Sequence, residues 1–301
     1  MKPAFSFVGT FAAILLSTSP ARAECDLGET VTTPVVFAGD YHEPVIVGTV
    51  NNHPFRFKLR SSDSTTTLHR AAVEKIGLQV KQNATNYPGV DVGTVFTDNV
   101  VAGAVSRKGD FVVLDKQSQF YDGDLGATMM LRNDLELAFA DGYIKQSKPK
   151  GCFRSFLASW DPKATVITFT LDVEHGDLRP WFWVSINGMP IKSTIGTNMP
   201  YTMIDAKSAA RVGLTHDMPG AHDAGEVKGW RDKPQKVSAV PADIAIGGYR
   251  DPHATVRIVD MDLTGEAMVL GADFLRANRV LISMGQQKLY ITPLKERMFA
   301  Q

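Results

Sequence analysis

One segment of this 301-residue chain occurs twice. The stretches 50–59 and 75–78 match the stretches 186–195 and 211–214 at a constant shift of 136 residues. A second set of matches, from 98–127 to 243–272, has a shift of 145 residues, so one insertion of nine residues separates the two sets. Matches in the same order with a single length change indicate a tandem duplication of one unit. The chain is therefore expected to fold as two similar halves.

The repeated unit is rich in predicted β-strands. Asn51-Asn52 and Asn187-Gly188 interrupt runs of apolar and β-branched residues, and both pairs tolerate positive φ, so each predicts a β-hairpin. Apolar residues at helical spacing over 68–76 and 204–212 predict a short helix after each hairpin. Further strands are predicted at 94–105, 110–114, 135–139, 236–246, 254–259, 280–282 and 288–291. The pattern predicts an all-β protein with a few short helices.

The first 23 residues have the features of a secretory signal peptide. Lys2 precedes an apolar run over 4–16, and Ala21-Arg22-Ala23 forms a small-x-small cleavage site, so the mature chain is expected to begin at Glu24. A signal anchor is the alternative, but the run is short of the ~20 residues that a bilayer span needs. We therefore expect a periplasmic or secreted protein with no membrane span after signal cleavage. The mature chain keeps 30 basic and 32 acidic side chains, a balance that gives no electrostatic case for binding nucleic acid.

The two cysteines of the chain, Cys25 and Cys152, favour a disulfide if the protein is exported to an oxidising compartment. Such a bond would tie the mature N-terminus to the start of the second half. Two buried, unreactive thiols are the alternative. Two cysteines so far apart do not form a zinc-binding pattern.

Each repeat consists of a hairpin, an apolar residue, a polar loop, a short helix that ends in apolar-Gly-Leu, and an apolar-apolar-Gly motif. This order resembles one lobe of the retropepsin and pepsin-like aspartic peptidases. The stretches 269–275 and 280–282 are most similar to the bacterial periplasmic members. The resemblance implies a bilobal, pepsin-like fold of two retropepsin-type barrel lobes with a central cleft. It predicts an N-terminal lobe over 24–150 and a C-terminal lobe over 151–301.

In that family each lobe supplies an Asp-Thr-Gly loop, and the two aspartates share a proton and activate water. The corresponding positions here hold Arg60-Ser61-Ser62 and Gly196-Thr197-Asn198, so neither position carries a carboxyl group. Ser61 and Thr197 keep the hydroxyl groups that brace the two loops in the family. Asp63 is the one fallback acid near the first loop, and its counterpart in the second unit is Met199.

The sequence therefore favours a non-catalytic pseudo-peptidase that binds an extended peptide or protein segment in the interlobe cleft. An active aspartic endopeptidase with an atypical dyad and a structural or assembly component of the cell envelope are the alternatives. Arg60 is open to two interpretations, a structural ion pair with Asp63 or an anchor for a peptide carboxylate, and these are not exclusive. No cofactor or metal site is predicted, because the His216-Asp217 and His222-Asp223 pairs match no metal-binding spacing. The expected binding residues are Arg60, Ser61, Ser62, Asp63, Ser64, Gly196, Thr197, Asn198 and Met199, with Tyr87 and Trp230 from the two flap regions.

Overall fold

The computed structural model of the chain describes residues 25–82, 92–228, 234–260 and 268–294. The predicted signal peptide and its cleavage site before Glu24 lie outside these ranges, as do Tyr87 and Trp230.

The described part of the first half forms eleven strands and three short helical segments. The strands are β1 (Thr30–Pro34), β2 (Val36–Ala38), β3 (Glu43–Val50), β4 (His53–Arg60), β5 (Thr67–His69), β6 (Lys81–Gln82), β7 (Val92–Ala102), β8 (Val105–Leu114), β9 (Gly123–Gly126), β10 (Asp134–Ala138) and β11 (Tyr143–Ser147). The helices are α1 (Arg70–Lys75), α2 (Ala127–Met130) and a 3₁₀ turn over Phe139–Asp141.

The described part of the second half has the same composition of elements. The strands are β12 (Thr165–Thr168), β13 (Thr170–Asp172), β14 (Asp177–Ile186), β15 (Met189–Ile195), β16 (Met203–Asp205), β17 (His222–Lys228), β18 (Pro234–Ile246), β19 (Tyr249–Val259), β20 (Met268–Leu270), β21 (Asn278–Ser283) and β22 (Lys288–Pro293). The helices are α3 (Ala206–Arg211), α4 (Ala272–Ala277) and a 3₁₀ turn over Val173–His175.

Each half contributes one eight-stranded sheet, and the two sheets have the same strand order. The first runs β2-β3-β4-β9-β5-β8-β7-β6, and the second runs β13-β14-β15-β20-β16-β19-β18-β17. The apolar-Gly motif lies in β9 of the first sheet and in β20 of the second. Each of these strands pairs parallel with the second strand of the hairpin, β4 or β15. Each also pairs antiparallel with the short strand before the helix, β5 or β16. The structure thus confirms the predicted all-β, two-lobed, pepsin-like fold.

A third sheet joins the two halves and takes three strands from each, in the order β1-β11-β10-β21-β22-β12. At its centre β10 pairs antiparallel with β21, with Glu136 opposite Leu281. Leu135 and Leu137 lie opposite Ile282 and Val280, so the pairing is symmetric about the central pair. The two halves are therefore joined by one continuous sheet.

The hairpin prediction is confirmed at both turns. Asn51 and Asn52 have φ values of 48° and 67°, and Asn187 and Gly188 have φ values of 49° and 82°. These left-handed conformations are the ones for which asparagine and glycine are favoured in two-residue hairpins. The turns fix the register of β3 on β4 and of β14 on β15, and thereby set where β4 and β15 end.

The predicted helices are wrong at their starting points. Leu68 and Ile204 lie in strands β5 and β16, because their backbones pair with neighbouring strands on both sides, and the helices begin only at Arg70 and Ala206. Asp205, expected inside the second helix, is its N-cap residue, whose carboxylate accepts a hydrogen bond from Ser208 N at 2.8 Å. Apolar side chains at helical spacing did not distinguish a buried strand followed by a helix from one longer helix.

A strand lies in the region of the insertion in the second half. The sequence predicts a polar loop over 215–235, whereas β17 occupies His222–Lys228 and pairs with β18. Regular backbone pairing with the long strand β18 outweighs the weak β-propensity of these polar residues.

The connection between the halves covers one face of the joining sheet. A predicted disulfide between Cys25 and Cys152 is present there. Cys152, Leu157, Leu281 and Tyr290 are buried together in a small apolar cluster on this face. Within the described residues, the helices are too short to cross a membrane.

Candidate functional site

The two loops that replace Asp-Thr-Gly meet at the centre of the molecule, and we call residues 60–64 and 196–200 the loop junction. Ser61 N donates to Thr197 Oγ1 at 3.0 Å, and Thr197 N donates to Ser61 Oγ at 3.0 Å. Ser61 Oγ in turn donates to Ile195 O at 2.6 Å. Both side chains are fully buried, so the reciprocal bonds fix the two loops against each other.

Further hydrogen bonds hold Ser62 and Ser64 of the first loop in place. Ser62 Oγ lies 2.8 Å from Asn198 Oδ1 and donates to it. Arg179, on β14 of the second half, donates from Nη1 to Ser62 O at 3.1 Å. Ser64 O accepts hydrogen bonds from the backbone and the hydroxyl of Thr128 at 3.0 and 2.7 Å. The predicted residues of the two loops therefore do come together in space.

The glycines of the apolar-Gly motifs allow each loop to pack against its neighbouring strand. A Cβ atom at Gly126 would lie 2.4 Å from the backbone of Thr65, and one at Gly271 would lie 2.3 Å from the backbone of the preceding loop of its own half. Gly126 N donates to Thr66 Oγ1 at 3.0 Å, and Gly271 N donates to Thr202 Oγ1 at 3.1 Å. Only a residue without a side chain permits this approach, which explains the repeated motif.

Position 60, where the resembled peptidases carry an aspartate, is occupied by a charge-compensated guanidinium. Arg60 Nη2 forms an ion pair with Asp63 Oδ2, and Arg60 Nη1 lies 3.4 Å from Asp124 Oδ2. The side chain of Arg60 is 28% exposed, and that of Asp63 is 41% exposed. The expected structural ion pair between Arg60 and Asp63 is therefore present. Arg60 therefore holds Asp63 in an ion pair with a permanent positive charge.

Asp124 is the centre of a buried charge cluster next to Arg60. Its carboxylate oxygens lie 3.4 Å from Lys116 Nζ, 3.7 Å from Lys58 Nζ and 3.7 Å from His69 Nε2. Burial alone raises the pKa of Asp124, but His69 and the positive charges of Arg60, Lys116 and Lys58 outweigh that effect and hold the pKa well below its usual range. Asp124 is therefore an ionised partner for cations rather than a proton donor.

Lys58 completes the cluster from the neighbouring strand. Its ammonium donates to Glu43 Oε1 at 2.8 Å and to Tyr121 Oη at 3.1 Å. Burial lowers the pKa of Lys58, but Asp124 and Glu43 outweigh it and leave the pKa raised. Both ring nitrogens of the buried His69 lack a hydrogen-bond partner among the described residues. The first half thus places a cluster of charged and polar side chains, not all of them hydrogen-bonded, beside the loop junction.

The space beside Gly196, where the resembled peptidases carry their second aspartate, is filled by apolar side chains. A Cβ atom at Gly196 would lie 2.4 Å from Val269 Cγ1 and 3.0 Å from Met199 Cγ. Val269 belongs to a buried cluster with Met203, Val237 and Val259, against which Met199 packs. A carboxylate at position 196 therefore has no room unless Val269 moves.

The two halves thus differ in character at matching positions. Asp124 corresponds to Val269, and Asp63 corresponds to Met199. The chemistry that the loop junction can support is asymmetric, with charged groups on the first-half side and methyl and thioether groups on the second-half side. The sequence prediction missed Lys58, His69, Lys116 and Asp124, although an acid directly before Leu125-Gly126, where the second repeat has Val269, was a visible signal.

A buried acid of the second half has a structural role. Asp273 accepts hydrogen bonds from Thr202 N at 2.9 Å, Thr202 Oγ1 at 2.8 Å and Phe274 N at 2.8 Å. Burial raises its pKa, and the hydrogen bonds from Thr202 only partly offset this. Because these donors occupy both oxygens, Asp273 holds the loop at Thr202 in place.

In the described ranges, no three His, Cys, Asp or Glu side chains are grouped so that they could hold a metal ion. His216, one of the residues weighed as a ligand, lies 2.9 Å from Ser238 Oγ through Nδ1 and 3.5 Å from Asp260 Oδ1 through Nε2.

No protein-family model and no curated protein sequence matches the chain. Among solved structures, the chain is similar to the crystal structure of EDGP, with 10% sequence identity, coverage of 89% of this chain and 95% of that chain, and a TM-score of 0.48. It is also similar to the crystal structure of basic 7S globulin from soybean, with 9% identity, coverage of 90% of this chain and 98% of that chain, and a TM-score of 0.48.

Proposed function

We propose that this protein is a pepsin-like scaffold without peptidase chemistry, which binds an extended peptide or protein segment in the cleft between its lobes. The observation that supports the proposal is the loop junction itself. The reciprocal Ser61–Thr197 hydrogen bonds keep the two loops together, while Arg60 and Gly196 occupy both catalytic positions.

The charges at the junction argue against hydrolysis. Acid-base cleavage by this fold needs two carboxyl groups that exchange proton-donor and proton-acceptor roles around one water. Asp63 and Asp124 both contact the same guanidinium of Arg60, and Asp124 also faces Lys58 and Lys116. The cations around Asp124 hold its pKa well below its usual range, so Asp124 is not available as the proton donor, and Asp63 is engaged in the ion pair with Arg60.

The asymmetry of the junction indicates the kind of segment that the cleft would bind. On the first-half side, the partly exposed Arg60, Asp63 and Lys116 offer charged donors and acceptors. On the second-half side, Met199 and the 39% exposed Tyr201 offer an apolar surface. An extended segment with a polar or charged side chain on one side and apolar side chains on the other fits this arrangement, since alternate side chains of a strand point to opposite sides.

We also propose that the protein works in an oxidising compartment, either the periplasm or outside the cell. The Cys25–Cys152 disulfide supports this placement because such bonds persist in oxidising environments.

The test has a cleavage arm and a binding arm. The purified protein is incubated with a complex peptide library from about pH 3 to pH 8, and new termini are counted by mass spectrometry. We expect none. Reproducible cleavage that disappears in Asp63→Asn would overturn the proposal in favour of a peptidase with an atypical dyad.

In the binding arm, peptides enriched on the immobilised protein are titrated calorimetrically against wild type, Arg60→Gln and Met199→Ala. A control variant, Arg107→Gln, removes a cation of β8 outside the loop junction. We expect both junction variants to weaken binding while the control does not. Failure to enrich any peptide, or equal weakening by the control, would refute a peptide-binding role for the cleft.

A further inference from the structure

Two adjoining cavities lie at the end of the joining sheet and share no residue with the loop junction. The inner cavity has a volume of about 150 Å³, and the outer cavity has a volume of about 580 Å³. They have four lining residues in common, namely Arg132, Asn133, Lys148 and Met284. We call the two together the Arg132 cavity. Their combined size is in the range of sites that bind small organic ligands.

The lining of the Arg132 cavity has an excess of positive charge. Arg132 and Lys148 are both exposed, and within the described ranges neither side chain has a hydrogen-bond or ion-pair partner. Asp134 is the acid in the lining, and its oxygens already accept hydrogen bonds from Ser283 Oγ at 2.7 Å and Met284 N at 2.8 Å. The two cations are therefore free to bind an anion from solution.

The remainder of the lining is largely apolar. Leu157 contributes to the inner cavity, and Leu171 and Leu178 contribute to the outer one. Phe153, at the inner cavity, is 75% exposed and adds an aromatic surface. A ligand that satisfies both parts of the lining carries one negative group on an apolar body.

The wall of the inner cavity is held in place before any ligand arrives. The Cys25–Cys152 disulfide anchors the segment next to Phe153. Gln286 Nε2 donates to Cys152 O at 2.5 Å and to Ser155 O at 2.8 Å, which ties that segment to the turn after β21. A preformed wall lowers the entropic cost of binding.

We propose that the Arg132 cavity binds an organic carboxylate with an apolar body, whose carboxylate is held by Arg132 and Lys148. The apolar body would lie against Leu171, Leu178 and Met284. Two sources share this chemistry, the free C-terminus of a peptide with apolar last residues and a fatty acid.

The experiment titrates three probes into the full-length protein by calorimetry. They are a hexapeptide that ends in leucine with a free carboxylate, the same peptide with an amidated C-terminus, and dodecanoate. Binding of the free peptide but not the amidated peptide would support a peptide C-terminus, and binding of dodecanoate alone would support a fatty acid. If neither carboxylate binds at millimolar concentration, or if the amidated peptide binds as tightly as a free peptide that does bind, the proposal is wrong.

Matched variants then locate the site. We expect Arg132→Gln and Lys148→Gln each to weaken carboxylate binding roughly tenfold, because each removes a charge-assisted hydrogen bond. Lys207→Gln removes an exposed cation from α3, outside both cavities, and should leave the affinity unchanged. Thermal melts of all three variants check that the fold is retained. Equal weakening by Lys207→Gln would show that the effect is one of overall charge and would overturn the assignment.

Discussion

Asp124→Asn tests whether the buried charge cluster is a real electrostatic centre. The side chain of Asp124 is 1% exposed and lies within 3.7 Å of Lys58 and within 3.4 Å of Arg60 and Lys116. Removing one partner of a buried ion pair typically costs ~3–5 kcal/mol of unfolding free energy. Glu43 still binds Lys58 and Asp63 still binds Arg60, so we expect a loss near the lower end, about 3 kcal/mol.

The effect should depend on pH in a defined direction. Because the folded pKa of Asp124 is depressed, its contribution is fully present above its unfolded pKa, which is ~3.9, and is lost as pH falls toward the folded pKa. The asparagine variant lacks this group. The stability difference between wild type and variant should therefore shrink by about 1 kcal/mol between pH 5 and pH 3.

Urea unfolding of both proteins at pH 7, 5 and 3 gives these differences directly. Asp98→Asn is the matched control, since Asp98 also pairs with a lysine, Lys108, but its side chain is 74% exposed. Exposed pairs of this kind contribute ~1 kcal/mol or less. A loss for Asp124→Asn no larger than that for Asp98→Asn, or a difference that does not change with pH, would refute the interpretation of the cluster.

Three further predictions test the loop junction and the disulfide by urea unfolding. Ser61→Ala removes the hydrogen bonds to Thr197 N and Ile195 O, whereas Thr197→Val removes only the hydrogen bond to Ser61 N. Because each buried group that loses its partner costs ~1–3 kcal/mol, Ser61→Ala should be the more destabilising of the two. The reverse order would contradict the hydrogen bonds described. Gly196→Ala should cost ~1–3 kcal/mol by overpacking, and Val269→Ala in the same chain should recover part of that loss; additive effects would mean that the two positions do not touch. Cys152→Ser opens a loop with a sequence separation of 127 residues from Cys25 and should cost roughly 4–5 kcal/mol; an unchanged midpoint under the same conditions would show that the bond does not stabilise the fold.

The sequence was sufficient to predict the duplicated fold because glycines, hairpin asparagines and apolar-Gly motifs act locally. Asn51-Asn52 requires a turn whatever lies around it, and Gly126 requires close packing of backbones. The side chains that surround positions 60 and 196 could not be predicted from the sequence in the same way. Whether Arg60 contacts Asp63 alone or also Asp124 depends on β4 lying parallel to β9, a pairing between residues more than sixty positions apart.

The surroundings of Gly196 could not be predicted from the sequence either. Gly196 in the sequence shows only that the acid is missing, whereas the structure shows that Val269 and Met199 occupy the space. A restored aspartate at 196 therefore requires a second change at 269, which the sequence of the loop alone does not indicate.

The register at the centre of the joining sheet bears on how the two halves recognise each other. Glu136 lies opposite Leu281, its own counterpart in the second repeat, and binds Arg279 through its carboxylate. If the first half were expressed alone, pairing of β10 with the β10 of another copy in this register would place two buried glutamates opposite each other, each with Lys145 of its own half but without Arg279. The native pairing, in which Glu136 contacts both cations, should therefore be favoured over self-association of the first half when the two separated halves are mixed. The contact surfaces of the two repeats thus differ at matching positions, and the charged side chain of one half is neutralised in part by an arginine of the other.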